Sequence, residues 1–256
     1  MPALSSEAII LQNQPAGESD LVVDFLCPSL GRLKGIAKGA KKSKKRFIHC
    51  LEPLSRSRLE LFEKPSNVWI RIDSGELIEP FSGIRGDFRK WGLAAFACEL
   101  IQGLVPFRDP NRQTYALLRN TLEIIDTEKG NPEIGPLFQL KLLQLAGYGL
   151  SFEACQACGK RGLDLQKAVF LPGTGRLQCR GCTNGQSGIP LSPGALQSLR
   201  QANRMELRQA IRLRFTAGTR AEIETLLEKF RLQVLGRELS SARVLRQIQE
   251  PYGKTI

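Results

Sequence analysis

Four cysteines fall in two close pairs, Cys155-x-x-Cys158 and Cys179-x-x-Cys182, with twenty residues between the pairs. This is the four-thiolate spacing of a structural zinc site, because each C-x-x-C turn aims two sulfurs at one point and two such turns complete a tetrahedron. Gly159, Lys160 and Arg161 follow the first turn, and Arg180 and Gly181 lie inside the second. Cations near thiols lower their pKa and offset the charge of a metal–thiolate cluster. The pattern predicts one structural Zn2+ on Cys155, Cys158, Cys179 and Cys182, with disulfides or a redox pair as the alternatives. Four protein thiolates leave no open position for water or substrate, so the site holds chain together rather than performing chemistry.

The second chemically marked stretch is Lys34-Gly-Ile-Ala-Lys38-Gly-Ala-Lys41-Lys42-Ser-Lys44-Lys45-Arg46-Phe47. Eight basic residues and no acid lie between Phe25 and Leu51. The segment begins on an alternating strand and runs into a glycine-bearing loop. It reads as a phosphate-tracking loop in which lysines neutralise phosphates, glycines permit close backbone approach and Phe47 stacks on a base. The bland alternative is a solvated loop whose charges aid solubility. Lysines outnumber arginines here, which suits diffuse phosphate contact rather than bidentate base readout. Arg200, Arg204, Arg208 and Arg212, recurring at every fourth residue, form a second basic candidate.

Catalytic chemistry finds no support. The one histidine, His49, adjoins Cys50; neighbours on a strand face opposite ways, so a packed histidine is expected rather than a Cys–His pair. There is no G-x-x-x-x-G-K-[ST] loop and no dinucleotide fingerprint. Neither Asp20 with Asp24 nor Asp87 with Asp109 makes a metal-carboxylate signature. The formal net charge of +12 over 256 residues favours an anionic partner, nucleic acid before membrane. Residues 81–150 are near neutral, with eight Lys/Arg against seven acids; residues 196–256 carry twelve against six. The N-terminus lacks the basic flank and apolar block of a signal peptide. The most apolar stretch, 91–107, is broken by Glu99, Gln102 and Pro106 and is too short to span a bilayer. Cys27, Cys50 and Cys98 sit in apolar contexts and read as buried thiols, and seven cysteines in all suit a reducing cytosol.

The elements that must position these residues change character near residue 80. Before it come five short β patterns, at 8–11, 21–27, 32–38, 55–62 and 68–72, separated by turns. They predict a small barrel, OB-type first and SH3-like second. After Glu79-Pro80 the apolar period becomes helical, with helices expected over 88–105, 113–128, 136–147, 193–203, 205–215, 220–235 and 240–248; Ser192-Pro193 and Thr219 read as helix starts. The fold class is α+β: an OB domain over 1–80 and a helical domain over 81–256, with the zinc insert at about 151–190. Leu93, Phe96, Ile101, Leu104 and Phe107 cover more than half a helix circumference. They read as core or as part of an apolar groove edged by Arg or Lys.

An N-terminal barrel with G-x-L-x-x-x-A-K-G-A-K-K from Gly31 to Lys42, then helices interrupted by C-x-x-C…C-x-x-C, resembles the RecO family of bacterial recombination mediators. Gly17-Glu18-Ser19-Asp20 between two apolar strands also fits, and the likeness covers essentially the whole chain. The resemblance implies a non-enzymatic cytoplasmic, nucleoid-associated protein of DNA repair and recombination. Such a protein binds single- and double-stranded DNA and anneals complementary strands. It works with the RecR mediator, binds the acidic C-terminal tail of the single-stranded-DNA-binding protein and helps load recombinase. By match to the motif it implies DNA contacts at Lys34, Lys38, Lys41 and Lys42, and more loosely at Lys44, Lys45 and Arg46. It implies zinc at the four cysteines. An RNA-binding or ribosome-associated OB/zinc protein shares the charge and the cysteines and is the competing reading. A nuclease is third.

Overall fold

The computed structural model describes residues 3–63, 69–165 and 168–249. Val68, read as the start of the last barrel strand, lies outside them. Five strands come first: β1 (Ala3–Ala16), β2 (Asp20–Cys27), β3 (Gly31–Ala37), β4 (Arg56–Phe62) and β5 (Ile70–Glu79). They close in the order β1-β2-β3-β5-β4, with β4 returning to β1, which is the OB barrel and not the SH3-like alternative. All pairings are antiparallel except β3 with β5, where Gly35 faces Ile70 and Ala37 faces Ile72. β1 serves two neighbours by bending: it pairs with β4 from Ala3 to Ile9 and with β2 from Ile9 to Ala16, with an irregularity between Ile10 and Gln12. The alternating apolar residues fill the interior, Phe25, Leu59, Leu61 and Ile72 being almost wholly buried.

Helices follow: α1 (Ser82–Arg85), α2 (Phe88–Leu104), α3 (Arg112–Thr127), α4 (Ile134–Leu145), α5 (Pro193–Arg204), α6 (Leu207–Ala210), α7 (Ala217–Leu235) and α8 (Ser240–Gln249). Local chemistry explains where they start. The Asp87 carboxylate accepts from the N–H groups of Arg89 and Lys90, Asn111 from that of Thr114, and Ser192 from that of Ala195 with Pro193 at the first helical position. The last long helix is capped by Thr216, whose hydroxyl accepts from the Thr219 N–H, so Thr219 lies inside the helix it was expected to open. The helix expected over 205–215 shrinks to the four residues of α6. Between α4 and α5 a three-stranded sheet, β6 (Ala168–Leu171), β7 (Arg176–Cys179) and β8 (Ile189–Leu191), runs in the order β7-β6-β8.

The contacts divide the chain into two compact units, one running to Lys129 and resuming at Ser241, the other Gly130–Ser240. The helices α1 to α3 thus group with the barrel, a division that does not follow the change of pattern near residue 80. In the first unit Arg32 is the cross-tie. Its guanidinium, nearly buried, pairs with Asp24 at 2.7 and 3.0 Å and donates to the carbonyls of Gln102 and Val105 at the end of α2. Gly31 precedes it with φ 72°, and a Cβ there would lie 2.5 Å from the Asp109 carbonyl oxygen, so only glycine fits. In the second unit the wholly buried Glu133 accepts two bonds from Arg220 at 2.7 and 2.8 Å and one from the Phe215 N–H. Such a pair locks α4 against α7 because breaking either half would strand a buried charge.

On α2, Phe96, Ile101 and Leu104 are buried, Leu93 is half-buried and Phe107 lies beyond the helix end. The apolar groove read into these five is therefore not formed by them: three are core. Among the described residues no helix is long and apolar enough to cross a membrane.

Candidate nucleic-acid interface and cysteine cluster

Each basic residue of the marked segment is exposed: Lys34 on β3, and Lys38, Lys41, Lys42, Lys44, Lys45 and Arg46 on the loop that follows. The loop is pinned at several points. Gly39, at φ 68°, donates its N–H to the Asp20 carboxylate at 2.8 Å, and Lys41 donates its N–H to the Ser19 carbonyl at 2.9 Å. The Lys41 ammonium donates to the Gly17 carbonyl at 3.0 Å. Residues 40–42 then make one 3-10 turn. Arg46 braces the far side. Its guanidinium donates to the carbonyls of Lys38 at 2.8 Å and Asp73 at 3.1 Å and lies 5.0 Å from the centre of the Phe47 ring. Among the described residues no carboxylate forms an ion pair with these lysines. Gly39's N–H and the Ser19 hydroxyl hold the Asp20 carboxyl below its ordinary pKa, helped by Lys38 and Lys41 and opposed by slight burial.

Two expectations in this region fail. Phe47 is 7% exposed and packs into the barrel core, so it cannot stack on a base; its ring is the loop's anchor. His49 is not packed. It stands in solvent at φ 54° with Nδ1 2.7 Å from the Glu52 carboxylate, while Cys50 is wholly buried and burial pushes its thiol up to about 11. Cys27 and Cys98 are likewise raised by burial, to about 12, and all three thiols are unreactive core groups, as their apolar contexts imply. The arginine row is broken as well. Arg200 donates to the carbonyls of Phe152 and Glu153, and Arg204 pairs with the Glu153 carboxylate at 3.0 Å. The helix carrying them ends at Arg204, so Arg208 and Arg212 do not continue one face.

The four marked cysteines do converge: their sulfurs all lie within 4.8 Å of one another. The first turn is closed by the Gly159 N–H on the Cys155 carbonyl and the Cys155 N–H on the Lys160 carbonyl, 2.9 and 2.8 Å. Gly159, at φ 76°, allows that reversal. β7 delivers Cys179, and a 3-10 turn over Arg180–Cys182 brings Cys182 back beside it. Cys158 and Cys179 are 3.8 Å apart sulfur to sulfur. A tetrahedral thiolate site with metal–sulfur bonds of about 2.3 Å has edges of about 3.8 Å, so the donors fit one ion. All seven cysteines are free thiols. Partial burial would raise the Cys155 thiol, but backbone N–H groups from Cys179, Cys158 and Ala157 outweigh it and bring it down to about 6. Hydrogen bonds with Cys179 and Cys158 push Cys182 up to about 12. Thiols so close share protons, and a cation that replaces those protons relieves the competition.

A closed OB barrel with an ordered lysine loop, followed by helices that carry an insert with four converging cysteines able to hold one metal ion, defines the class: an OB-domain protein with a four-cysteine module. Family models match nearly the whole chain: Recombination protein O N terminal over residues 1–81 and Recombination protein O C terminal over residues 85–243. The chain belongs to the RecO family. It is 34% identical to the DNA repair protein RecO of Syntrophobacter fumaroxidans, over 96% of this chain and 98% of that one. It is 30% identical to the protein of the same name from Syntrophus aciditrophicus, over 95% of each. The corresponding figures for Thermodesulfovibrio yellowstonii are 30%, 91% and 93%.

Proposed function

We propose that this protein is a non-enzymatic DNA-binding mediator of recombinational repair. It anneals complementary single strands and helps load recombinase onto protein-coated single-stranded DNA. The observation that carries the reading is the pinned lysine loop on the OB barrel, in a chain whose relatives are DNA repair proteins over nearly their full length. Annealing needs phosphate repulsion neutralised on two strands without preference for sequence. Exposed lysines, as compact point charges, supply that neutralisation. Lys34, Lys38, Lys41 and Lys42 make the principal phosphate contacts, with Lys44 and Lys45 beside them and Arg46 holding the loop. Residues 1–80 act as the DNA-binding domain and 81–256 as the helical domain that engages a RecR-type mediator and the acidic tail of the single-stranded-DNA-binding protein. The cysteine insert, about 151–190, holds one structural Zn2+ that contributes rigidity and no reaction step. The protein works in the cytoplasm at the nucleoid.

The test is strand annealing on DNA coated with single-stranded-DNA-binding protein, with and without RecR. Accelerated annealing of coated complementary strands is the expected result. Annealing no faster than spontaneous, together with tighter binding to structured RNA, would replace this reading with an RNA-binding one.

A further inference from the structure

Loss of Phe47 to the core leaves the interface without its expected aromatic, and the barrel wall supplies two others. Along one edge of β3, Phe107 pairs beside Arg32 through a parallel bridge, and the Arg108 N–H donates to the Arg32 carbonyl at 2.9 Å. Further along the same edge β5 takes over, with Ile70 beside Gly35. Continuing that register one residue back sets Trp69 opposite Lys34. Ile70 and Gly35 are buried, and strand alternation turns Trp69 and Lys34 outward: both are exposed, Trp69 by 41%. Phe107 is 46% exposed, with the Arg32 guanidinium 4.1 Å and the Lys34 ammonium 5.6 Å from the ring centre. The left-handed Arg108, φ 59°, turns the chain immediately after Phe107. The backbones beside Arg32 and Lys34 are about 6.6 Å apart, one pleat repeat.

We infer that Phe107 and Trp69 form a base-stacking platform for single-stranded DNA along β3, with Lys34 between them on the phosphates. The inference deepens the DNA-binding reading and rests on it. Two exposed rings flanking an unpaired cation, next to a lysine loop, match what an unpaired strand offers: flat faces and regularly spaced anions. A duplex buries its base faces and cannot use the rings. The platform therefore gives the protein a reason to prefer unpaired strands that the lysines alone do not supply.

Trp69 is its own probe. The chain has two tryptophans, so Trp91→Phe leaves Trp69 as the single indole. Titration with oligothymidylate should quench its emission saturably. Phe107→Ala should weaken oligothymidylate binding roughly 5- to 150-fold, the usual range for removing one stacking ring. Phe107→Leu, which keeps apolar bulk against Arg32, should weaken it comparably, while Phe107→Tyr restores it and duplex affinity stays the same throughout. Unquenched Trp69 in an oligothymidylate-bound protein, or wild-type affinity in Phe107→Leu, overturns the platform while leaving phosphate binding by the loop intact. A wild-type protein that binds neither oligothymidylate nor duplex removes the DNA-binding reading and the platform together.

Discussion

The barrel and the cysteine insert acquire their shapes by opposite means. The barrel is held by burial: side chains from all five strands interlock, and even the charged loop is anchored through Phe47 and Cys50 in that core. The loop's lysines can face water because the buried apolar side chains, and not their ammonium groups, fill the barrel. The insert has strands of only four, four and three residues. These strands are at the short end of the usual range, so each contributes few side chains to a core. The insert has some apolar support, chiefly Phe170 against Phe152 and Phe230, yet its two turns are organised around sulfur. The contrast teaches that charge can be displayed freely where packing sets the backbone. In the insert we propose that ligation at the four converging sulfurs adds the rigidity that its short strands lack, which leaves those side chains unavailable for binding DNA.

The largest expected effect breaks the insert alone. Cys179→Ser, or stripping the metal with a chelator, should release the ion and lower the insert's stability by several kcal/mol, on the order expected when metal binding is coupled to folding. Hydrogen exchange should accelerate across residues 152–191 and remain slow in β1, β2 and β4. A variant that keeps a full equivalent of metal, or barrel strands that loosen equally, would abolish the distinction between the two regions.

The next effect acts on the barrel's surface and spares its fold. Replacing Lys38, Lys41 and Lys42 by alanine should weaken binding to every DNA sequence about equally. It should also lower the log–log salt slope by about two, each lost phosphate contact removing roughly 0.7–0.9. Thermal stability should change little, as for most surface substitutions. An unchanged slope would send the search for phosphate contacts to another surface.

Much of this was legible from residue types. Each C-x-x-C turn was legible because that spacing is a local property, and the two turns meet through the strand that delivers Cys179, where the Gln156 N–H donates to the Leu177 carbonyl at 2.9 Å. The five strands and most long helices follow from apolar period. Legibility failed where tertiary context overrode a local signal. Phe47 and His49 both sit next to a lysine run, and nothing local says that one turns into the core and the other out of it. The arginine row keeps its four-residue spacing in the sequence, but the helix ends at Arg204, Met205 and Glu206 are extended, and Arg208 lies on the separate short helix α6. The strands β6 to β8 are too short to show alternation. Phe107 and Trp69 are brought to one edge of β3 only through strand register, which no single segment contains.

A conservative change sharpens the barrel side of the comparison. Arg46→Lys keeps the loop's charge and loses the fork that bonds two carbonyls from opposite directions. If the loop bound only through its charge, the variant would match the wild type. Because Arg46 arranges the lysines, affinity should fall by roughly fivefold, the equivalent of about 1 kcal/mol for a net hydrogen bond, with the salt slope unchanged. Equal affinity in a competition titration would show that the brace is dispensable.

The smallest effect concerns Asp20, the acid that pins the loop's first turn. Its carboxylate accepts the Gly39 N–H at 2.8 Å and the Ser19 hydroxyl at 3.0 Å, bonds that favour the charged form, and Lys38 and Lys41 add to them. The folded-state pKa is therefore lower than the unfolded one. The sign follows: this contribution to stability is complete above the ordinary aspartate value and disappears as pH falls through the lower folded value. The Gly39 amide should report it directly, its proton shift moving upfield as the acceptor is protonated, with a midpoint below the usual aspartate range. Asp20→Asn retains an acceptor oxygen but nothing to titrate, so the Gly39 amide should stay hydrogen-bonded at neutral pH and lose that transition. A Gly39 midpoint at or above the ordinary aspartate value, or a transition that persists in Asp20→Asn, would mean that the turn is held by the Ser19 and Gly17 carbonyls alone.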